Sequence, residues 1–322
     1  MRRTVILGLA AALAGLGAPA AEAQGYPTRP IRIVVPFGPG SGTDIGTRLL
    51  AQHLGTALGQ PIIVENRPGA TGTIAAQAVA TAAPDGYTLL MGTNSTHGGN
   101  SATQRNLPYD PLRSFSPIAA VGIFPGFLVV TPSLPVNSAA ELVAYGRANP
   151  GALTFATGNV SSLMMGEFFV RRLGIDAVRV SYTSNPPALT DVIAGRVSMM
   201  FPDMASSLVH VRSGRLKALA TVTLGERSAT APDLPTVAES VLPGLHIVGW
   251  IGLFAPAATP EPVADRLSQE VLKVLATQEM QEGITRIGAE PNLMSRDAFR
   301  SFVRRQVEET IAFLAEIGVQ PE

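Results

Sequence analysis

Two stretches of the chain combine glycine, hydroxyl side chains and a following helical pattern, and both are suited to holding an anion. The first reads Pro36-Phe37-Gly38-Pro39-Gly40-Ser41-Gly42-Thr43 and leads into Asp44. The second reads Thr157-Gly158-Asn159-Val160-Ser161-Ser162 and leads into Leu163. The first turn of a helix has backbone N–H groups with no partner inside the helix, and the helix dipole places partial positive charge there. Anions settle at such ends. Glycine lets the backbone approach a ligand closely, and serine and threonine add donors. Neither stretch contains lysine or arginine. Each is therefore a neutral cradle, suited to a carboxylate held by many donors without a full counter-charge. A third polar stretch, Thr93-Asn94-Ser95-Thr96-His97, follows a strand pattern and would join the first.

Other chemistries fail on spacing. A dinucleotide fingerprint needs a third glycine at 43 or 45, where Thr43 and Ile45 stand, and a phosphate loop needs a Gly-Lys pair that is absent here. A hydrolase elbow around Ser41 requires glycine where Pro39 and Thr43 are found. Ser95 and His97, two residues apart on a loop, do not make a nucleophile–base pair, and His97 reads as a hydrogen-bonding loop residue. The chain has no cysteine, which removes thiol nucleophiles and thiolate metal ligands. His53, His97, His210 and His246 are scattered without metal-ligand spacing. No metal, cofactor or catalytic residue is expected. Asp203, after a strand and Pro202, stays open between a ligand contact and a cap on the following turn. Trp250, in an apolar run, reads as core.

Both cradles need a strand to deliver them and a helix to follow. Runs rich in β-branched residues alternate with helical periods, the pattern of an α/β fold with largely parallel sheets. Strands are predicted over 31–35, 61–65, 87–91, 127–130, 153–156, 178–182, 197–201, 218–222 and 246–254. Helices are predicted from near Asp44 to Gly59, then over 73–81, 138–149, 163–173, 187–194, 262–276 and 296–317, with Ser138, Thr259 and Ser295 as N-caps. Ligands of open α/β sheets sit beyond the strand C-termini. Two cradles so far apart in sequence therefore suggest two lobes facing one cleft.

The first residues read as an address. Arg2 and Arg3 precede an apolar run over 5–17 and the small-residue pattern Ala21-Glu22-Ala23. A signal peptide over 1–23 is expected, cut before Gln24, of the ordinary secretory kind in preference to twin-arginine. The run is too short for the roughly 20 residues of a membrane span. Lys plus Arg and Asp plus Glu are 24 each, a net charge of zero, so no basic excess points to nucleic acid. A length of 322 residues suggests about two domains. An exported chain without disulfides must rely on apolar cores, and the 46% hydrophobic content suits that.

The chain resembles the substrate-binding component of tripartite tricarboxylate transporters, the Bug or TctC family. The matching segments include Tyr26-Pro27-x-Arg29-Pro30-Ile31, Val35-Pro36-Phe37-x-x-Gly40-x-x-Thr43-Asp44 and Val64-Glu65-Asn66-Arg67-Pro68-Gly69-Ala70. Ala83-Pro84-Asp85-Gly86-Tyr87, Leu107-Pro108-Tyr109-Asp110-Pro111 and Asp233-Leu234-Pro235-Thr236-Val237-Ala238-Glu239 continue the match in register. The resemblance implies a two-lobe periplasmic binding protein type II (Venus-flytrap) fold. The chain would cross between lobes near 124–127 and 246–249, giving lobe one as 24–125 plus 247–322 and lobe two as 126–246. It implies a periplasmic, monomeric protein that captures a small carboxylate, such as a di- or tricarboxylate, for a two-subunit membrane permease. A ligand-sensing subunit acting on a membrane sensor kinase is the alternative; an enzyme on this fold is a remoter one. Carried over, the ligand-binding set is Phe37, Gly40, Ser41, Gly42, Thr43 and Asp44, then Thr93, Ser95, Thr96 and His97, then Thr157, Gly158, Asn159, Ser161, Ser162, Tyr182 and Asp203. The chain departs from the family pattern at Ser41, at Thr183-Ser184-Asn185 and at Pro202-Asp203.

Overall fold

The computed structural model describes residues 25–321; the expected signal peptide lies outside them. The chain opens with three strands and two helices in the predicted order. Ile31–Val35 (β1) is β-branched and buried at four of its five positions. Gly42–Leu58 (α1) follows, with Ser41 accepting the Asp44 N–H as its N-cap. Ile62–Asn66 (β2) and Thr88–Thr93 (β3) pair parallel to β1 on its two sides, placing Ile33 beside both Val64 and Leu89. Thr73–Ala80 (α2) lies between them. Where a loop was expected from residue 92, the strand continues to Thr93 and a wide helical turn, Ser95–Gly99, runs into Asn100–Thr103 (α3).

Phe115–Phe124 (β4) was not legible in the sequence. It is buried along nearly its whole length, so no polar alternation marks it, and Pro117 argues against a central strand. The sheet accommodates that proline beside an irregularity in the pairing register. The chain then enters a second sheet at Gly126–Val130 (β5). Ala139–Ala148 (α4), Leu153–Thr157 (β6), Val160–Arg172 (α5), Ala177–Ser181 (β7) and Asn185–Ile193 (α6) repeat the strand–helix alternation. Met199–Met200 (β8), Met204–Arg212 (α7), Lys217–Val222 (β9) and Val237–Ser240 (α8) complete this half. Gly249–Pro256 (β10) returns to the first sheet, followed by Glu261–Leu275 (α9), Gln278–Arg286 (α10), Glu290–Pro291 (β11) and Arg296–Glu316 (α11).

The strand orders are β11-β4-β10-β3-β1-β2 and β7-β6-β8-β5-β9. Both sheets are mixed, not largely parallel as expected. A crossover helix within one sheet forces parallel neighbours, as for β1 with β2 and β3 or β6 with β7 and β8. The strands on either side of the two sheet-to-sheet passages lack that constraint. Thus β10 runs antiparallel to β3 and β4, and β5 antiparallel to β8 and β9. The expected Thr259 cap is also corrected: Pro260 takes the N-cap position of α9, and the Thr259 hydroxyl has no partner among the described residues.

Each sheet has apolar cores of its own, and α11 reaches into both halves. Phe299, Val303 and Val307 sit in a cluster with Val34, Trp250 and Phe254 of the first sheet. Leu314 and Ile317 sit in a cluster with Leu128, Phe155 and Val222 of the second. Full burial of one such leucine contributes about 1.5–3 kcal/mol. Phe313 lies against Phe168 at 5.3 Å and Glu316 pairs with Arg172. Among the described residues no helix is long and apolar enough to cross a membrane.

Candidate ligand-binding cleft

The loop from β1 to α1 is held open by its own side chains. Gly40, at φ +79°, makes a turn that L-residues rarely adopt, and its N–H donates to Asp44 Oδ2 at 2.9 Å. Asp44 Oδ1 accepts from Arg48 Nε at 3.0 Å and from Asn66 Nδ2 at 2.9 Å. The same Asn66 amide donates to the Phe37 carbonyl. Asp44 is thus spent on tying the loop to α1 and β2. What remains for a ligand is the first turn of α1: among the described residues, nothing accepts from the Gly42 or Thr43 N–H.

The β6–α5 loop is built alike. Asn159 Oδ1 accepts the Ser162 N–H at 2.9 Å and Ser162 Oγ accepts the Gly158 and Asn159 N–H groups, a capping box. The Ser161 N–H has no acceptor among the described residues, while Val160 N–H donates to Ser95 Oγ across the cleft at 3.0 Å. Asn94 Nδ2 also crosses, to Ser161 Oγ at 2.7 Å. The two halves are therefore in contact. About 30 Å³ of space is left between them, room for about two waters.

Phe37, Thr43, Thr93, Ser95, Asn159, Ser161 and Asp203 all line this space, as the sequence suggested. Asn94, Phe124, Met165, Phe201, Gly249, Trp250 and Ile251 line it too, and sequence reasoning did not name them as site residues. Phe124 and Gly249 to Ile251 had a usable signal, since they lie at the two sheet-to-sheet passages, and a passage must border the cleft. Trp250 is core, 2% exposed, as expected, yet it also faces the cavity, and its indole N–H has no acceptor among the described residues.

Other named residues support the site from behind. Ser41 caps α1, and Thr96 Oγ1 accepts the Thr93 N–H at 2.9 Å. His97 is fully buried, stacked on Phe254 at 4.2 Å, away from the cavity lining. Burial pushes its pKa down to about 3, so the ring is neutral at ordinary pH. Thr157, Gly158 and Tyr182 line a wider adjoining groove of about 800 Å³ that shares only Asn159 with the cavity. Tyr182 there donates to Asp191 Oδ2 at 2.6 Å.

Asp203 takes the cap reading of the two left open. It is the N-cap of α7, accepting the Ser206 N–H at 2.8 Å, and it lines the cavity. Its Oδ2 accepts from Asn185 Nδ2 at 2.6 Å. Protein groups crowd the carboxyl, and that burial pushes its pKa up.

With this geometry in place, the comparisons are decisive. The model of the tripartite tricarboxylate transporter family receptor, TctC, matches residues 47–319. The chain belongs to this family. Protein BugT of Bordetella pertussis is 34% identical, over 99% of this chain and 98% of that protein. Among solved structures, Rpa4515 of R. palustris with adipate superposes with a TM-score of 0.90 at 32% identity, covering 92% of this chain and all of that one. MatC from Rhodopseudomonas palustris with bound malate gives 0.84 at 32% identity, over 90% of this chain and all of that one. The periplasmic binding protein BugD gives 0.88 at 33%, over 92% and all. The fold is accordingly that of the family's periplasmic solute-binding proteins, two lobes with a cleft between them.

Proposed function

We propose that this TctC-family protein captures one small carboxylate in its cleft and delivers it, chemically unchanged, to a two-subunit membrane permease. The observation that carries the reading is a set of three N–H groups without an acceptor among the described residues, Gly42, Thr43 and Ser161, at the N-termini of α1 and α5, where Thr43 and Ser161 line the two sides of one cavity. Those donors, with the Thr43, Thr93, Ser95, Asn159 and Ser161 side chains, form the carboxylate clamp. Adipate and malate in the R. palustris neighbours are carboxylates, the ligand class that such helix ends take. The lobes are 24–125 plus 247–322 and 126–246, joined at the two passages and by the end of α11, which docks on the second lobe, and the chain acts in the periplasm as a monomer after removal of 1–23. The contacts Asn94–Ser161 and Ser95–Val160 belong to a closed arrangement, and the lobes part to admit the ligand.

A thermal-shift panel of mono-, di- and tricarboxylates, amino acids and aromatic acids tests this. At a concentration of about 100 times its dissociation constant, the ligand stabilises the protein by about 2.7 kcal/mol, a melting-temperature rise of roughly 5 °C. No response across the panel would refute carboxylate capture.

A further inference from the structure

Among the described residues, Asp203 is the one ionisable side chain that lines the cavity; no arginine, lysine or histidine of them does. It comes from the second sheet's half and reaches the first turn of α1, where a Cβ on Gly42 would lie 2.3 Å from its Oδ1. This is the helix end on which the carboxylate clamp is built. The rest of the lining is rich in rings, with Phe37, Phe124, Phe201 and Trp250, and the buried Trp250 N–H still lacks an acceptor.

The charge balance of the closed cleft follows from these groups. A helix N-terminus is equivalent to about +0.5 charge, and α1, α5 and α7 each point one at this space. Together they fall short of the two negative charges that Asp203 and a ligand carboxylate bring. A dicarboxylate would bring three. Like charges about 6 Å apart at an effective dielectric near 20 cost on the order of 100-fold in affinity. Burial already disfavours the charged form of Asp203 with no ligand beside it.

We propose that the ligand is a short zwitterion: its single carboxylate sits on the α1 N-terminus and its cationic nitrogen sits against Asp203, among the aromatic rings. The nitrogen supplies the missing positive charge between two carboxylates, and ring faces attract such a cation as well. The proposal rests on the carboxylate reading and narrows it to amino acids and their N-methylated betaines.

The test is isothermal titration of the mature chain and its Asp203→Asn variant with β-alanine, γ-aminobutyrate, glycine betaine, succinate, glutarate and citrate. Asparagine caps a helix as well as aspartate does, and Asn185, whose Oδ1 has no partner, can turn its amide to meet it. A melting temperature of the empty variant no lower than that of the wild type checks that the cap survives. The wild type is expected to prefer a zwitterion over every dicarboxylate by about 100-fold, and the variant to lose at least about tenfold of that preference. Dicarboxylates bound as tightly as zwitterions, or a preference unchanged in the variant, overturn the zwitterion assignment and leave carboxylate capture standing. Binding of none of the six overturns the zwitterion assignment, and carboxylate capture itself falls only if the wider panel of acids is silent as well.

Discussion

Gly42 and Asp203 meet across the cleft with no room for a methyl group between them: a Cβ at position 42 would stand 2.3 Å from Asp203 Oδ1 and 2.7 Å from its Cγ. The backbone at Gly42 is ordinary helix, so alanine there strains nothing within the first half of the chain. Gly42→Ala is expected to leave the melting temperature of the empty protein almost unchanged while propping the lobes apart. Overpacking of this kind costs about 1–3 kcal/mol, hence a loss of roughly 5- to 150-fold in ligand affinity by isothermal titration. Small-angle scattering should show a ligand-saturated variant still more extended than the ligand-saturated wild type.

Closure also depends on hydrogen bonds between the halves. Ser95→Ala removes the acceptor of the Val160 N–H and leaves that donor buried in the closed form. An unsatisfied buried donor costs about 1–3 kcal/mol, and the loss is expected in affinity. A dissociation rate raised by stopped-flow measurement, with chemical denaturation of the empty protein little affected, is the expected pattern.

Asp203 makes the stability of the protein depend on pH. Its pKa is raised from the free value of 3.8 by burial, and Asn185, Ser206 and Gly42, none of them titratable, are its neighbours. The folded state therefore holds the proton more tightly than the unfolded state. The penalty is absent below pH 3.8, grows as pH rises through the raised pKa and is constant above it. Asp203→Asn removes the penalty. The melting temperature of the variant relative to wild type is expected to rise with pH from about 4 and then level off, in scans over the acid range.

His97 acts in the opposite sense. Its pKa is lowered from 6.5 to about 3 by burial, so unfolding takes up a proton throughout that interval. Stability is full above pH 6.5 and is lost as pH falls towards 3. His97→Gln should be less stable at neutral pH, because the stack on Phe254 is lost, yet show a shallower acid loss between pH 6.5 and 4 in urea titrations.

The C-terminal helix is expected to bind the second half firmly. Leu314 is fully buried in the second sheet's cluster, and Leu314→Ala should destabilise by about 2–5 kcal/mol. Amide exchange is expected to speed up in α5 as well as in α11, because Leu314 shares its cluster with Phe168 and Phe169 of α5.

Much of this was legible in the sequence because local chemistry and global fold agree. The loop from Phe37 to Asp44 and the cap at Asn159 are short-range constructions, and their glycine, hydroxyl and carboxylate residues announce them. The long strand β4 was not legible, since it is buried on both faces and carries Pro117. Helix α7 was missed because its small and polar residues, Ala205, Ser206 and Ser207, show weak periodicity; only the cap Asp203 marked it. The placing of His97 behind the site, and of Trp250 in both core and cavity, depends on Phe254, Phe299 and Phe302 arriving from far along the chain. No local pattern encodes that meeting.

Backbone amide resonances of the mature chain, followed by NMR during a ligand titration, test carboxylate capture most directly. Saturable downfield shifts of the Gly42, Thr43 and Ser161 amide protons, with a common dissociation constant, are the expected result. If those three stay still while residues of the outer groove around Tyr182 and Gly158 move, the ligand binds elsewhere and the clamp between α1 and α5 is contradicted.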